Sequence, residues 1–237
     1  AFVNIQCLRT KYNLVSLFCN NVKPNILCVS EHWLTDGESE FYRQINDLVL
    51  TAKFCRTIFK CGGVAIYLDR DMDLEINVLN LSEFNLELDC EFAGIEIVGS
   101  STMIFSVYRS PNGNFKEFIS KLDCCLTKFA TGRTLLLGGD LNIPLNIEND
   151  LQTRTFKNLV RTYGLYVTTT VPTRGDRCLD SIITNLDSWR YEVSVTEPVI
   201  ADHGAVVMSA KLDVVSTNSS VLPWSANYRF GYRVIKD

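Results

Sequence analysis

Residues 135–144 read LLLGGDLNIP, and this stretch decides how the rest of the chain is interpreted. Its three leucines predict a strand that is buried on both faces, and Gly138 and Gly139 allow the backbone to approach a neighbour closely. Asp140 and Asn142 follow at positions i and i+2, so on an extended backbone their side chains point the same way. A carboxylate and a carboxamide that face one spot can hold a metal or a phosphate. An Asx turn after the strand explains the same residues equally well.

The length and composition of the chain indicate a globular protein. Its 237 residues, of which 46% are hydrophobic, suffice for one sizeable domain or two small ones. No linker rich in Pro, Gly or Ser divides the middle of the sequence. We therefore predict one domain over residues 1–212. Over residues 213–237 the alternating pattern is lost, which predicts a C-terminal tail or a linker toward further sequence.

Several classes of protein are disfavoured by the sequence. It contains no run of 18 apolar residues and no basic N-terminal patch followed by an apolar core, which predicts a soluble intracellular domain with no membrane partner. The nine cysteines lack the spacing of a zinc site or of a disulfide framework, so we expect core thiols. The net charge of -4 argues against a broad basic surface that binds nucleic acid by charge alone, but it does not exclude a nucleic-acid enzyme.

Hydrophobic periodicity predicts an alternation of strands and helices around the LLLGGD strand. We expect strands at 1–6, 25–30, 102–108 and 165–171, helices at 12–21, 114–130 and 151–163, antiparallel hairpins over 48–97, a strand around Asp180, and a strand pair over 191–211. In the hairpin region Lys53, Arg56, Lys60 and Arg70 are candidate basic contacts, with solvated surface as the alternative.

Four other strands also end in polar groups, namely Asn4, Glu31, Asp180 and the pair Asp202 and His203. Singly, each has a structural explanation, such as a cap, a solvated carboxylate, or a buried acid or histidine with a partner. If the strands form two packed sheets, all of these groups converge at one rim. Two or three hard oxygen ligands suit Mg²⁺ or Mn²⁺ better than zinc. The chemistry indicated is metal-assisted attack of water on a phosphodiester.

The motifs around these residues resemble those of the endonuclease/exonuclease/phosphatase superfamily, which includes the apurinic-type DNA repair endonucleases. They are NIQ at Asn4, SEHWL at Glu31, VYRSPNG at Tyr108, GGDLNIPL at Asp140, LDSIITN at Asp180, and ADHGAV at Asp202 and His203. They occur in the order of the family and span nearly the whole chain. Within the superfamily the chain looks most like the endonuclease domain of non-LTR, LINE-type retrotransposons of the jockey-like kind, particularly in GGVAIY, VYRSPNG and the strand leading to SEHWL.

This resemblance implies an α/β fold, a four-layered α/β/β/α sandwich of two packed mixed sheets flanked by helices. It implies a Mg²⁺-dependent endodeoxyribonuclease, with Mn²⁺ as a possible substitute, that nicks double-stranded DNA in the nucleus. The nick would leave a 3′ hydroxyl that primes reverse transcription, and the tail would lead to a reverse transcriptase domain.

The resemblance also assigns roles to individual residues. Asp140 would orient or deprotonate the attacking water with Asn142 beside it, and His203, held by Asp180, would stabilise the charge on the phosphate that Tyr108 touches. The implied metal residues are Glu31, Asn4 and Asp202, and the implied substrate contacts are Arg109, Asn112, Thr173 and Arg174. Gln6, Cys178 and Ala201 depart from the pattern of the family, which leaves the contacts to the substrate strand open.

Two rival interpretations remain at this point. A phosphodiesterase of the same superfamily that acts on inositol phosphates, sphingomyelin or RNA tails would share the site, although the motifs between the catalytic residues favour DNA. An inactive, domesticated copy that serves as a binding module would be expected to have lost Glu31, Asp140 or His203, and all three are present.

Overall fold

Two mixed β-sheets pack face to face in the computed structural model, which describes residues 1–213. The first sheet has seven strands, in the spatial order β12 (Tyr191–Val195), β13 (Val206–Ala210), β1 (Phe2–Asn4), β2 (Ile26–Ser30), β5 (Val64–Asp69), β4 (Leu48–Phe54) and β3 (Gln44–Ile45). The second has six, in the order β10 (Tyr166–Val167), β11 (Asp180–Thr184), β9 (Thr134–Asp140), β8 (Thr102–Tyr108), β7 (Glu91–Ile97) and β6 (Ile76–Val78). The predicted tail over residues 213–237 lies, apart from Asp213, outside the described residues.

Helices cover the outer face of each sheet. The helix α1 (Leu8–Val22) packs on the first sheet, and α3 (Phe115–Phe129) and α4 (Leu151–Thr162) pack on the second. A short helix, α2 (Asp36–Ser39), lies between β2 and β3. Apolar side chains accordingly form three layers of core, one between the sheets and one under the helices on each side. The predicted four-layered α/β/β/α sandwich is confirmed.

The strand β9 is buried as the three leucines predict. Leu135 and Leu137 point toward α3 and α4, whereas Leu136 points into the core between the sheets. A Cβ on Gly138 would lie 2.5 Å from the ring of Phe2 in the opposite sheet, so the absence of a side chain there lets the two sheets approach. This close packing makes the end of β9 a rigid mount for Asp140.

Hydrophobic periodicity located the helices well because their caps coincide with the ends of the pattern. Asn114 accepts backbone N–H groups at the start of α3, and Asp150 does so for α4. The helix α1 begins at Leu8, four residues earlier than predicted, after a left-handed turn at Gln6 and Cys7.

Three expectations for other segments need correction. The predicted strand at 165–171 is limited to Tyr166–Val167. Arg56 is buried against Glu91 instead of lying on the surface, and Lys53 pairs with Asp36 of α2. The expectation of core thiols is confirmed for most of the cysteines, because all nine are free and six are buried, whereas Cys61 and Cys124 are exposed. Among the described residues, no helix is both long enough and apolar enough to cross a membrane.

Candidate active site

The register of the strands brings the polar strand ends together at one rim of the sandwich. In the second sheet Asp140 at the end of β9 stands opposite Tyr108 on β8 and Asp180 on β11. In the first sheet β1 and β2 run parallel, so Asn4 ends its strand beside Ser30 and the following Glu31. The loop before β13 supplies Asp202 and His203. The convergence predicted from the sequence is therefore present.

Asn4 joins the two sheets at this rim. Its Nδ2 donates to Glu31 Oε1 at 2.7 Å and to Asp140 Oδ2 at 2.8 Å, and the side chain is fully buried. Its Oδ1 accepts the N–H of Gln6 at 3.2 Å. The amide nitrogen of Asn4 therefore orients Glu31 and Asp140 toward each other, and metal binding by Asn4 stays a prediction.

Glu31 is held in an uncommon backbone conformation. Its φ is +56°, in the left-handed region that non-glycine residues rarely adopt. Its second carboxylate oxygen accepts the indole N–H of Trp33 at 3.0 Å. Between them, His32 accepts the N–H of Leu34 on Nδ1 and donates from Nε2 to the carbonyl of Phe54, both at 3.0 Å. Burial lowers the pKa of His32 to about 4, so this ring is neutral and fixes the turn that carries Glu31.

A buried chain of hydrogen bonds orients His203. Its Nδ1–H donates to Asp180 Oδ2 at 2.7 Å, and the hydroxyl of Thr173 donates to the same oxygen at 2.6 Å. The Thr173 oxygen in turn accepts the backbone N–H groups of Leu179 and Asp180. Thr173, which the resemblance placed among the substrate contacts, is only 3% exposed and instead holds Asp180 in place.

The other ring nitrogen of His203 points into the site. Nε2 is buried and has no hydrogen-bond partner, although Asp140 Oδ2 lies 4.0 Å away and Asp202 Oδ1 lies 3.7 Å away. Burial alone would lower the pKa of His203, but the hydrogen bond to Asp180 and the three nearby carboxylates outweigh it and raise the pKa to about 9. At neutral pH the ring is therefore an imidazolium with an N–H directed at the space beside Asp140.

The pKa of Asp140 is raised as well. Burial, followed by the charge of Asp180, raises the pKa of Asp140 to about 8, against the lowering effect of His203 and Asn4. Ligand atoms of Asp140, Asp180 and His203 lie within 4.8 Å of one another and could hold a metal ion.

A metal fits this site best on carboxylate oxygens. Asp180 Oδ2 and His203 Nδ1 already satisfy each other, whereas Asn4 brings oxygens of Glu31 and Asp140 together. Glu31 is partly accessible, as a ligand that retains coordinated water must be. The donor atoms at this site are hard oxygens, and no cysteine is among them.

The loop after β9 has a different geometry from the one predicted. Asn142 has a φ of +49°, so the extended backbone ends at Asp140 and the i, i+2 argument does not apply. The N–H of Asn142 donates to Asp140 Oδ1 at 3.0 Å, as in the Asx-turn alternative, and its Nδ2 donates to the carbonyl of Arg109 at 2.7 Å. Asn142 also lines an open groove of about 450 Å³ with Pro111, Arg174 and others.

Arg109 does not face this groove. It is 2% exposed, and its guanidinium donates to the carbonyls of Leu141, Gly113 and Asn142 at 2.9, 3.0 and 2.6 Å. We therefore correct its expected role: Arg109 shapes the loop by satisfying backbone carbonyls that would otherwise be buried without partners.

The remaining expected contacts lie on the rim. Arg174 is exposed and pairs with Asp202 at 2.7 Å, while Gln6 Nε2 donates to the other Asp202 oxygen at 2.6 Å. Asn112 is exposed in the turn after β8. Substrate binding by Arg174 and Asn112, and metal binding by Asp202, stay predictions.

The stability of the domain should fall as the pH rises from 6.5 to 9 in the presence of EDTA. The pKa of His203 is about 9 when folded and 6.5 as a free side chain, so across this interval the folded state retains a proton that the unfolded state has lost. The stabilisation that comes from the retained proton of His203 is fully present below pH 6.5 and disappears above pH 9. The raised pKa of Asp140 likewise makes the stability fall as the pH rises. Thermal unfolding across the interval measures it. Asp180→Asn should make the melting temperature depend less on pH, and an unchanged dependence would contradict the assignment of this effect to His203.

Comparisons with known proteins agree on the fold. No protein-family model and no curated protein sequence matches the chain. Among solved structures, the endonuclease domain of TRAS1, a telomere-specific non-LTR retrotransposon, superposes with a TM-score of 0.66 at 18% identity, covering 87% of this chain and 94% of that one. An AP endonuclease from Archaeoglobus fulgidus gives 0.66 at 15% identity, with 88% and 97% covered, and an AP endonuclease from Leishmania major gives 0.70 at 12%, with 87% and 85% covered. The chain therefore has the fold of the AP endonucleases and of this retrotransposon domain.

Proposed function

We propose that the domain is a metal-dependent endonuclease that cleaves DNA by attack of water on a phosphodiester. The observation that carries this proposal is the buried, unpartnered Nε2 of His203, which is charged through Asp180 and lies 4.0 Å from Asp140. A buried donor without a partner is costly unless a ligand satisfies it, and a phosphate oxygen is an acceptor of the required charge.

The residues divide the chemistry between them. Asp140 is placed to orient a water and accept its proton, because Asn4 and the N–H of Asn142 fix its carboxylate 4.0 Å from His203 Nε2. His203 donates a hydrogen bond to a phosphate oxygen and stabilises the charge that develops there. Tyr108, buried next to Asp140 in the register of the sheet, is the third group directed at the phosphate. A divalent cation held by Glu31 and Asp140 would supply positive charge that offsets the negative charge of the transition state.

DNA as the substrate is supported by the relatives in structure. Their titles describe AP endonucleases, a retrotransposon endonuclease domain, and a 3′ phosphatase from Neisseria bound to product DNA. In this proposal the domain nicks double-stranded DNA in the nucleus and leaves a 3′ hydroxyl that primes reverse transcription by a tethered reverse transcriptase. The motifs shared with jockey-like elements support the retrotransposon origin.

A phosphodiesterase that acts on a substrate other than DNA is the alternative. The observation that favours it is the net charge of -4, because enzymes that bind a DNA backbone usually carry a basic surface. An inactive binding module is disfavoured, since a copy without selection for catalysis would not retain the complete hydrogen-bond chain from Thr173 through Asp180 to His203.

Nicking of supercoiled plasmid tests the proposal. We expect conversion to open circles with Mg²⁺ or Mn²⁺, no conversion with EDTA, and 3′ hydroxyl ends that a polymerase can extend. If the folded wild-type domain leaves several plasmids intact with either metal, but hydrolyses a small phosphodiester such as bis(p-nitrophenyl) phosphate, the alternative is supported. Inactivity on both substrates would indicate a binding module.

Thr173→Val should lower the nicking rate about tenfold. The substitution keeps the shape of the side chain but removes the hydroxyl that holds Asp180, and a hydrogen bond to a charged group contributes about 1.5–3 kcal/mol. A loss of about 1.4 kcal/mol in the transition state is a factor of about ten in rate. Thr173→Ser, which retains the hydroxyl, is the matched control and should stay within about threefold of wild type. Equal rates for the two variants would show that the hydroxyl is unimportant.

A further inference from the structure

The double glycine at Gly62 and Gly63 in the GGVAIY motif borders a buried ion pair next to the candidate active site. Arg56 Nε and Nη2 both contact Glu91 Oε1, at 2.6 and 2.5 Å, and the two side chains are 5% and 0% exposed. The other oxygen of Glu91 accepts the N–H of Gly63 at 2.6 Å. A Cβ on Gly62 would lie 2.2 Å from the guanidinium, so only glycine leaves room for it.

This ion pair connects the two sheets beside Tyr108. Arg56 follows β4 of the first sheet, and Glu91 begins β7 of the second. The guanidinium carbon lies 5.6 Å from the centre of the Tyr108 ring, and Nη2 donates to the hydroxyl of Ser110 at 2.7 Å. Tyr108 is thus packed against a cation whose own position is set by three hydrogen-bond acceptors, the third being the carbonyl of Lys60 at 3.2 Å.

We propose that Arg56 is a positioning residue for Tyr108: its buried guanidinium, fixed by Glu91 and Ser110, holds the phenol ring at the angle from which it meets the scissile phosphate. The proposal rests on the proposed phosphodiesterase function for its kinetic consequence but not for its structural one. A planar guanidinium can contact Glu91 and Ser110 at once while its carbon lies 5.6 Å from the centre of the ring, so lysine, which has a single nitrogen, is not an equivalent residue here.

The direct test is a double-mutant cycle between Arg56 and Tyr108. In the wild-type background Arg56→Lys should lower kcat for nicking about tenfold and leave KM within about twofold, because the ring is misplaced but the DNA surface is intact. In a Tyr108→Phe background the same change should lower kcat less than about threefold, since the group that Arg56 positions is already lost. Equal losses in the two backgrounds would overturn the proposal. Glu83→Gln, which removes an exposed pair with Lys128, is the control and should leave kcat unchanged.

A second measurement does not depend on activity. In the protein labelled with ¹³C on its tyrosine rings, the Tyr108 resonance is identified by its disappearance in Tyr108→Phe. Arg56→Lys should shift that resonance and leave the other tyrosine signals in place. An unmoved Tyr108 resonance would contradict the proposal even in a domain that cleaves no DNA, whereas a shifted resonance in an inactive domain would refute only the proposed function.

A milder variant covers the case in which Arg56→Lys does not fold. Ser110→Ala removes a single acceptor of the guanidinium and retains the ion pair with Glu91. It should shift the Tyr108 resonance and lower kcat about threefold in the wild-type background, with no further loss in Tyr108→Phe. A Ser110→Ala protein with wild-type kcat and spectrum would likewise overturn the proposal.

Discussion

His203→Ala is expected to lower the rate of DNA nicking about a thousandfold. Loss of one preorganised donor to a developing negative charge lowers kcat by about 10²–10³, and this donor is also charged and buried. Its carboxylate partners raise the pKa of His203 to about 9, so the wild-type ring carries the full charge at neutral pH, whereas alanine supplies none. Single-turnover nicking of plasmid DNA at saturating Mg²⁺ measures the chemical step.

The control for this variant separates charge from packing. His203→Asn retains a short polar side chain but no charge, and it should recover at most about tenfold of the lost rate. Both variants should bind DNA within a few-fold of wild type, because Arg174 and the rest of the rim are unchanged. A rate within about tenfold of wild type for His203→Ala would show that Nε2 is not the donor that stabilises the phosphate.

The positions of the reactive groups could be predicted because they follow directly from strand ends. Polar side chains follow the apolar runs because, at the ends of buried strands, they can reach partners or solvent. Parallel neighbouring strands end at the same rim of the sheet. Asn4 and Glu31 therefore lie side by side after two parallel strands of one sheet, and the packing of the two sheets brings them to Asp140, 136 residues after Asn4. The apolar pattern of LLLGG is local information, and burial on both faces follows from it.

The residues that hold the site could not be predicted in the same way. Thr173, Arg109 and Arg56 are polar residues in loops, where the sequence alone favours an exposed position. Each is buried because another part of the fold accepts its hydrogen bonds: Asp180 for Thr173, backbone carbonyls for Arg109, and Glu91 for Arg56. Only glycines that adjoin the site, such as the pair before VAIY, carry a local signal that something bulky lies against the backbone.

Gly139→Ala should destabilise the domain by at least about 4 kcal/mol, which is a large part of the about 5–15 kcal/mol by which a typical domain is stable. A Cβ on Gly139 would lie 1.9 Å from the carbonyl oxygen of Val107, and the backbone there has a φ of +147°. The clash cannot be relieved by a side-chain rotation, because Val107 and Gly139 are paired in the parallel β8–β9 ladder. The melting temperature should fall by about 8–16 °C, since about 1 kcal/mol corresponds to about 2–4 °C for a domain of this size.

Two other glycines serve as matched controls, because they separate backbone strain from collision. Gly132 has a φ of +69° and open space around its Cβ position, so Gly132→Ala should lose only about 1 kcal/mol of stability through strain. Gly138→Ala meets the Phe2 ring, which can turn, so its effect should lie between the other two and be partly relieved by Phe2→Leu. If Gly139→Ala were as stable as Gly132→Ala, β9 would be able to move away from β8. The end of β9 would then not be the rigid mount on which the placement of Asp140 depends.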